Sequence, residues 1–262
     1  DPLQAERALA EGHCDLVGVV RGQIADAEFV AKARAGSTNE TRLCLSCNQE
    51  CVGRMGLNRW LGCIENPDAG REAERAAQPL APPSRRRPSA SPPRVPHVVV
   101  VGAGPAGLQA AVSAAQRGWR VTALERETRI GGQIRLAASV PSRAELGDLI
   151  RNLGGEAERL GVELHLGTEA TLERVLMIGA DAVVVATGAA PARPWWAPPP
   201  EGGGERVVDV VDVLATDPHR DLRGRGLALR RGPPGEPGRR RAEEAALRIP
   251  AAVLLRHPDL LA

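Results

Sequence analysis

Four consecutive valines, Val98–Val101, run directly into the sequence Gly-Ala-Gly-Pro-Ala-Gly at 102–107. The β-branched run predicts a buried strand, and the alanine-rich stretch that follows predicts a helix. A G-x-G-x-x-G motif between a strand and a helix is typical of an α/β domain that binds a dinucleotide. Gly102 would permit the tight turn, Gly104 would let the backbone approach a pyrophosphate, and Gly107 would let the helix pack closely on the strand.

Strands and helices alternate after this motif. The hydrophobic pattern predicts further strands over 120–125, 162–166 and 182–186, and helices over 105–117, 146–160 and 172–177. Ser142 and Glu145 form a plausible capping box for the second of these helices. Near the beginning of the chain, Leu16–Val20 also has the pattern of a strand. The β-α-β order after residue 97 predicts a Rossmann-like domain with a parallel sheet.

Residues that could bind the rest of a dinucleotide follow the predicted strands. Glu125 ends the second strand, 23 residues beyond Gly102, where a carboxylate can accept hydrogen bonds from ribose hydroxyls. Gly131-Gly132-Gln133 and the turn Ala186-Thr187-Gly188 favour a flavin nucleotide, since ligands of open α/β sheets bind at the carboxyl edge. The candidate cofactor-binding residues of this domain are therefore Gly102, Gly104, Ala106, Gly107, Glu125, Gly132, Gln133, Thr187 and Gly188.

Four of the five cysteines lie close together, at Cys44, Cys47, Cys51 and Cys63. Four thiolates can hold either a tetrahedral zinc ion or an iron–sulfur cluster. Structural zinc sites usually use two separate pairs of ligands, whereas here three cysteines crowd into one short loop and the fourth stands apart. This three-plus-one arrangement favours a cubane cluster, and these four cysteines are the candidate metal ligands.

Composition and charge argue against several classes of partner. The chain carries 34 Lys and Arg against 32 Asp and Glu, so a net charge of +2 gives no case for nucleic acid. No apolar run approaches the ~20 residues of a membrane-spanning helix, and nothing resembles a signal peptide, so we expect a cytoplasmic protein without a membrane partner. Because only 2 % of the residues are aromatic, the core must be built from Val, Leu, Ile and Ala.

Shifts in composition divide the chain into five parts. After a first part at 1–35, residues 36–72 hold the cysteine cluster and residues 73–96 form a Pro/Arg-rich linker. Residues 97–215 form the dinucleotide domain, while 216–262 are rich in Arg, Pro and Gly and are expected to be irregular. Because the chain begins at Asp rather than Met, we also expect it to be a fragment.

With these motifs in order, the chain resembles the iron–sulfur flavoenzymes of the 2,4-dienoyl-CoA reductase and trimethylamine dehydrogenase group, in the old yellow enzyme superfamily. The similarity runs from about Asp15 to Val213 and includes the cysteine loop and the glycine motif. The sequence Arg-Gly-Gln-Ile-Ala-Asp at 21–26 is similar to the end of the family's TIM barrel, where the arginine equivalent to Arg21 lies by the FMN phosphate. The cysteine spacing matches the dienoyl-CoA reductase type, and Met55–Trp60 is similar to mycofactocin-associated members.

This resemblance implies an α/β protein with three components: a C-terminal remnant of a TIM barrel at 1–35, a [4Fe–4S] segment at 36–72, and a Rossmann-like FAD-binding domain. It implies an NAD(P)H:flavin oxidoreductase in which electrons pass from NAD(P)H through FAD and the cluster to FMN, and then to an activated C=C bond of a small-molecule substrate. FMN would be bound mostly by barrel strands that this chain lacks, so we expect the fragment alone to be inactive. Residues after about 216 depart from the family pattern, and we expect them to be non-native sequence.

Two alternatives stay open. An amine dehydrogenase of the same group would use the second domain only to hold ADP. A non-catalytic module would hold zinc on the four cysteines and bind a nucleotide in the α/β domain. No catalytic acid or base is identifiable, because the 5 histidines lie in no constellation with other reactive side chains.

Overall fold

The computed structural model describes residues 1–76, 94–190, 211 and 253–256. The first stretch contains α1 Pro2–Ala10, α2 Arg21–Ala25, α3 Phe29–Arg34, a 3₁₀ turn at Thr38–Glu40, α4 Val52–Gly56 and α5 Glu72–Ala76. The second contains β1 His97–Val101, α6 Pro105–Gln116, β2 Arg120–Leu124, α7 Gln133–Ala138, a 3₁₀ turn at Pro141–Arg143, α8 Leu146–Arg159, β3 Glu163–His165, α9 Leu172–Ile178 and β4 Ala182–Val185. The strand β5 Val253–Arg256 follows later in the chain.

The strands form one sheet in the order β3-β2-β1-β4-β5. Strand β1 pairs in parallel with β2 and β4, β2 pairs in parallel with β3, and β5 runs antiparallel to β4. A helix lies between each pair of successive parallel strands along the chain, as a doubly wound sheet requires. This arrangement confirms the predicted parallel α/β sheet and places β1 at its centre.

The core is built from small aliphatic side chains around β1. Three of its valines are almost fully buried, as expected for a central parallel strand that is covered on both faces. One cluster joins the sheet to α6 and α8 and consists of Val98, Val100, Ala111, Val112, Val121, Ala123, Ala157 and Val162. A second cluster connects the glycine turn to α6 and α8 through Ala103, Leu108, Ile150 and Leu153. Aliphatic side chains therefore form the buried part of this core, and one aromatic residue, Trp119, packs against it while partly buried.

The cysteine-bearing stretch packs against α8 through polar contacts centred on Arg42. The Arg42 guanidinium donates to Glu156 of α8, at 3.1 Å from Nε to Oε2, and also to the backbone carbonyl of Glu65. The Arg42 backbone N–H donates to Asp26 Oδ2 at 2.9 Å, and Lys32 Nζ donates to the same oxygen at 2.7 Å. Burial by itself would raise the pKa of Asp26, but these two donors hold it below its ordinary value. Asp26 is therefore an ionised anchor for Arg42.

Two expectations about local structure are wrong. Leu16–Val20 forms no strand, because no described strand lies alongside to pair with it, and Leu16 is left 88 % exposed. The capping box is absent because Ser142 lies in the 3₁₀ turn and α8 begins only at Leu146. Glu145 takes the N-cap position and makes no side-chain hydrogen bond there.

Two expectations about the connecting stretches also need correction. Residues 72–76, at the boundary of the predicted linker, form α5, and the rest of that linker up to residue 93 lies outside the described residues. Val253–Arg256 forms a strand within the part expected to be irregular, because this short β-prone run pairs with the open edge of β4. The other residues beyond 190, apart from Val211, lie outside the described part of the chain.

Replacing Gly107 by Ala tests the close packing of α6 on the glycine turn. A Cβ at this position would lie 1.8 Å from the carbonyl oxygen of Gly102, so the helix would have to move away from the strand. We expect Gly107→Ala to lower the free energy of unfolding by about 1–3 kcal/mol, measured by urea denaturation. Gly147→Ala in α8 is the matched control, because its Cβ would meet only Ala138 at 3.8 Å. Equal stability of the two variants would contradict this account of the motif.

A second test uses the buried His97 of β1. Its Nδ1 accepts from Arg120 at 2.7 Å and its Nε2 lies 2.9 Å from Thr122 Oγ1, so the neutral ring fits the site. Burial and the neighbouring Arg120 lower the pKa of His97, so below about pH 6.5 the unfolded chain takes up more protons than the folded one. Stability contributed by the neutral ring is present above that pH and is lost as the pH falls.

We therefore expect the wild-type chain to lose more unfolding free energy than His97→Gln when the pH is lowered from about 7.5 to about 5.5. Urea denaturation at each pH measures both proteins under the same conditions. Parallel pH profiles for the two proteins would show that His97 is not held neutral.

Candidate functional site

The glycine turn lies at the carboxyl end of β1 and is held against two neighbouring strands. The Gly102 N–H donates to the carbonyl of Leu124 at 2.8 Å, at the end of β2. Gly102 has φ of +99°, and a Cβ there would lie 2.4 Å from the carbonyl oxygen of Ala186, which follows β4. Only glycine fits this junction, because both the backbone angle and the close approach exclude a side chain.

Gly104 faces open space instead of packed atoms. A Cβ on Gly104 would meet nothing within 4 Å outside its immediate neighbours. Helix α6 starts at the next residue, so the N–H groups of Ala106 and Gly107 have no acceptor within the helix. An anion placed above Gly104 would therefore meet free N–H groups and the positive end of a helix dipole of 12 residues.

A second loop closes this space from the side. The Gly131 N–H donates to the carbonyl of Ala103 at 2.8 Å, and a Cβ on Gly132 would lie 3.5 Å from the Cα of Gly104. Gln133 Nε2 donates to the carbonyl of Ala189, which connects this loop to the exposed Thr187-Gly188 turn. The structure thus brings the glycine turn, the Gly131–Gln133 loop and the turn after β4 around one cleft, here called the nucleotide cleft.

Glu125 is buried beside the nucleotide cleft and supports the glycine turn. Its Oε2 accepts from the Ala103 N–H at 2.7 Å, and its Oε1 accepts from the Glu127 N–H at 2.9 Å. A carboxylate has about four acceptor positions, so each oxygen retains capacity for a ribose hydroxyl. This support of the turn is a role that the sequence pattern did not reveal, while ribose binding stays a prediction.

The four clustered cysteines line one small pocket, here called the cysteine pocket. Arg21, Asn48, Glu50 and Glu65 line the same pocket. Ser46 and Asn48 both adopt left-handed backbone angles, with φ of +53° and +56°, which turn the loop tightly between the first three cysteines. Gly62 donates its N–H to the carbonyl of Glu50 at 2.9 Å and so brings Cys63 back to the loop. The candidate ligands Cys44, Cys47, Cys51 and Cys63 are therefore neighbours in space.

The four thiols of the cysteine pocket are the candidate donors for a metal centre. Among the residues described, no three His, Cys, Asp or Glu side chains converge closely enough to hold a single metal ion. A cubane is larger than one ion and takes one thiolate at each of four separate corners. Burial raises the pKa of the Cys63 thiol, and the backbone N–H groups of Asn66 and Glu65 oppose that rise. Four cysteine thiolates are a donor set that either a tetrahedral zinc ion or a [4Fe–4S] cubane can take.

Arg21 lies at the cysteine pocket, at the start of α2. Its terminal nitrogen donates to Asn48 Oδ1 at 2.6 Å, in the loop between Cys47 and Cys51. The resemblance assigned Arg21 to a flavin phosphate, which stays a prediction. The contact with Asn48 shows an additional structural role that the motif did not indicate.

Two further residues of this region escaped the sequence analysis. Glu65 is only 2 % exposed and accepts a hydrogen bond at Oε1 from Asn152 Nδ2 of α8. Burial raises the pKa of Glu65, although Asn152 and Arg42 oppose that rise. In the sequence, only the position of the polar Asn152 beside the apolar residues of the predicted helix pointed to this contact. Such a pattern is too common to identify a partner.

Comparisons with known proteins identify a family and several similar proteins. The pattern of the pyridine nucleotide-disulphide oxidoreductase family matches residues 96–219. The chain is 40 % identical over 195 residues to NADH oxidase of Thermoanaerobacter brockii. The aligned residues cover 74 % of this chain and 28 % of that protein. It is 38 % identical over 230 residues to N,N-dimethylglycine/sarcosine dehydrogenase of Chromohalobacter salexigens, covering 85 % of this chain and 31 % of that protein.

A solved structure of 2-naphthoyl-CoA reductase with 2-naphthoyl-CoA is also similar. It superimposes with a TM-score of 0.73 and 32 % identity, covering 82 % of this chain and 31 % of that one. The chain therefore spans about three tenths of the length of the relatives that it matches. Within the described residues, no helix combines the length and apolar character needed to cross a bilayer.

Replacing Gly104 by Ala tests the nucleotide cleft separately from the fold. The added methyl group has room in the unliganded chain, so we expect unfolding free energy to change by less than about 0.5 kcal/mol. The same methyl group would occupy the space of the pyrophosphate, so affinity for ADP should fall about tenfold or more in isothermal titration calorimetry. Gly147→Ala, outside the cleft, should bind as the wild type does. Unchanged ADP affinity in Gly104→Ala would place the nucleotide elsewhere.

Proposed function

The chain belongs to the iron–sulfur flavoenzymes of the 2,4-dienoyl-CoA reductase and old yellow enzyme type, and on that premise we propose that it forms the cluster- and FAD-binding part of a flavin-dependent NAD(P)H oxidoreductase. The observation that carries the proposal is the pairing of two pockets on one helix. The cysteine pocket contacts α8 through Glu65 and Asn152, while Ile150 and Leu153 of the same helix pack beside the nucleotide cleft.

Each pocket has a distinct task in this proposal. Cys44, Cys47, Cys51 and Cys63 hold a [4Fe–4S] cluster, which when bound supplies one-electron transfer between two flavins. In the nucleotide cleft, Gly102 would form the tight turn beneath the pyrophosphate of FAD and Gly104 would leave room for it. The N–H groups of Ala106 and Gly107 at the start of α6 would donate to the pyrophosphate. Glu125 accepts from the ribose hydroxyls, and Gly132, Gln133, Thr187 and Gly188 line the remaining part of the flavin nucleotide.

The remaining parts of the chain have complementary roles. We assign 1–35 to the end of a flavin-binding TIM barrel, 36–72 to the cluster segment, 73–96 to a linker, and 97–215 to the FAD domain. Arg21 would contact the phosphate of FMN. Most of the FMN site would belong to other parts of a longer protein. Such a protein would take electrons from NAD(P)H and reduce an activated C=C bond, for example in an enoyl or dienoyl thioester. The structure of a naphthoyl-CoA reductase among the similar proteins supports that substrate class.

An amine dehydrogenase is the second candidate function. The similarity to a dimethylglycine/sarcosine dehydrogenase favours it, at an identity close to that of the NADH oxidase. In that case the nucleotide cleft would hold ADP only, with no flavin ring. The spacing of the four cysteines, with gaps of three and eleven residues, supports the reductase.

Metal analysis after purification without oxygen tests the proposal. We expect a brown protein with about four irons and four acid-labile sulfides per chain. Cys63→Ser should lose most of this iron, because it removes the ligand that stands apart from the loop. Cys14→Ser is the matched control, since Cys14 lies outside the cysteine pocket, and it should retain the iron.

Two results would contradict the proposal. A colourless chain with one zinc per molecule would favour a non-catalytic metal and nucleotide module. Equal iron content in Cys63→Ser and in the wild type would show that the iron is not held by the cysteine pocket.

A further inference from the structure

The side chain of Glu65 reaches from the cysteine pocket to the nucleotide domain. It follows Cys63 by two residues, lines the cysteine pocket and is 2 % exposed. Its Oε1 accepts the hydrogen bond from Asn152 Nδ2, while Oε2 has no partner among the described residues. A buried carboxyl that depends on one side-chain donor is expensive to separate from that donor.

Asn152 occupies the same turn of α8 that packs against the nucleotide cleft. It is 7 % exposed and lies between Ile150 and Leu153, which pack in the cluster that contains Ala103 of the glycine turn. A Cβ built on Gly131 would lie only 3.0 Å from Ile150 Cγ2, so Ile150 packs directly against the Gly131–Gln133 loop. One turn of α8 therefore contacts the nucleotide cleft through apolar atoms and the cysteine pocket through one amide.

Two other polar contacts join the N-terminal, cysteine-bearing stretch to α8. Arg42, whose side chain is 15 % exposed, donates to Glu156 and also to the Glu65 carbonyl. Arg159 Nε lies 3.9 Å from Glu40 Oε2, with both side chains about two fifths exposed, so this ion pair adds little. The Glu65–Asn152 pair is more deeply buried than these contacts, with the two residues 2 % and 7 % exposed, so its loss would leave an unsatisfied group inside the joint.

We propose that the Glu65–Asn152 hydrogen bond is a positioning element that fixes the cysteine pocket relative to the nucleotide cleft. The inference rests on the proposed function for its purpose, because a cluster and a flavin that exchange electrons must be held at a constant separation. Glu65 and Asn152 act through the two pockets and touch no reacting atom in this scheme.

Exchanging the two functional groups tests this inference. Asn152→Asp places a second carboxyl against Glu65 and removes the donor. The double variant Glu65→Gln with Asn152→Asp restores one donor and one acceptor with the same number of side-chain atoms, and moves the carboxyl to α8. Gln109→Leu is the matched control, because Gln109 donates its amide hydrogen bond to Ser113 within α6, at 3.1 Å, and not to a residue that holds the cysteine-bearing stretch.

Amide hydrogen exchange of the whole chain, prepared without a cluster, is the first readout. In Asn152→Asp we expect about tenfold faster exchange over residues 61–66, with ADP affinity within about twofold of the wild type. The double variant should return to within about twofold of wild-type exchange, and Gln109→Leu should behave as the wild type. If the single variant fails to fold, a folded double variant with wild-type exchange gives the same support.

The electron paramagnetic resonance spectrum of the reduced, cluster-loaded chain is the second readout. The signal should broaden in Asn152→Asp, because a loosened loop holds the cluster in a wider range of surroundings, and should regain the wild-type line shape in the double variant. The recovery separates this specific pair from a general loss of helix stability. Wild-type exchange in Asn152→Asp, or no recovery in the double variant, would overturn the inference. Rescue of exchange in a chain that takes up no iron would refute the proposed function alone, whereas iron uptake without rescue would refute the positioning role alone.

Discussion

Helix α8 packs against the sheet and glycine turn on one side and against the cysteine-bearing stretch on the other. The positions of both candidate pockets depend on these two sets of contacts. Its apolar residues Ile150, Leu153 and Ala157 complete the core beneath the glycine turn. Its polar residues Asn152 and Glu156 form hydrogen bonds with Glu65 and Arg42 of the cysteine-bearing stretch. The apolar contacts supply most of the stability, while the buried polar contacts determine the register of the joint. Both candidate pockets are consequently in contact with one helix.

The nucleotide cleft depends on glycines for close approach and on one buried carboxylate for support. Gly102 and Gly107 remove side chains at the points where β1, α6 and the segment after β4 meet. Glu125 accepts the Ala103 N–H, so that the turn keeps its shape before any ligand binds. A preformed turn spares a ligand the cost of ordering the loop. The open space above Gly104 then provides the place where a pyrophosphate can meet the free N–H groups of α6.

Sequence reasoning predicted the parts of the fold that depend on local pattern. The valine run, the G-x-G-x-x-G motif and the alanine-rich helix gave β1, the turn and α6, because periodicity and glycine chemistry act over a few residues. The clustering of the cysteines likewise identified candidate ligands that the structure places around one pocket.

The contacts between distant segments could not be predicted in this way. Leu16–Val20 has the composition of a strand but no described strand lies alongside to pair with it, and Glu65 meets Asn152 across 87 residues of sequence. Val253–Arg256 became a strand only because β4 had an open edge. Arg21 was assigned from its motif, while its contact with Asn48 depends on the left-handed turn of the cysteine loop. Each of these outcomes is decided by tertiary neighbours that no single stretch of sequence contains.

X-ray diffraction at the iron absorption edge, from crystals grown without oxygen and with ADP, tests the central claim most directly. The account predicts one compact anomalous peak of several irons enclosed by the sulfurs of Cys44, Cys47, Cys51 and Cys63. It also predicts nucleotide density over Gly104, with Asn152 still bonded to Glu65. A single-atom peak at the zinc edge, or iron density away from these sulfurs, would contradict the pairing of an iron–sulfur cluster with a dinucleotide on helix α8.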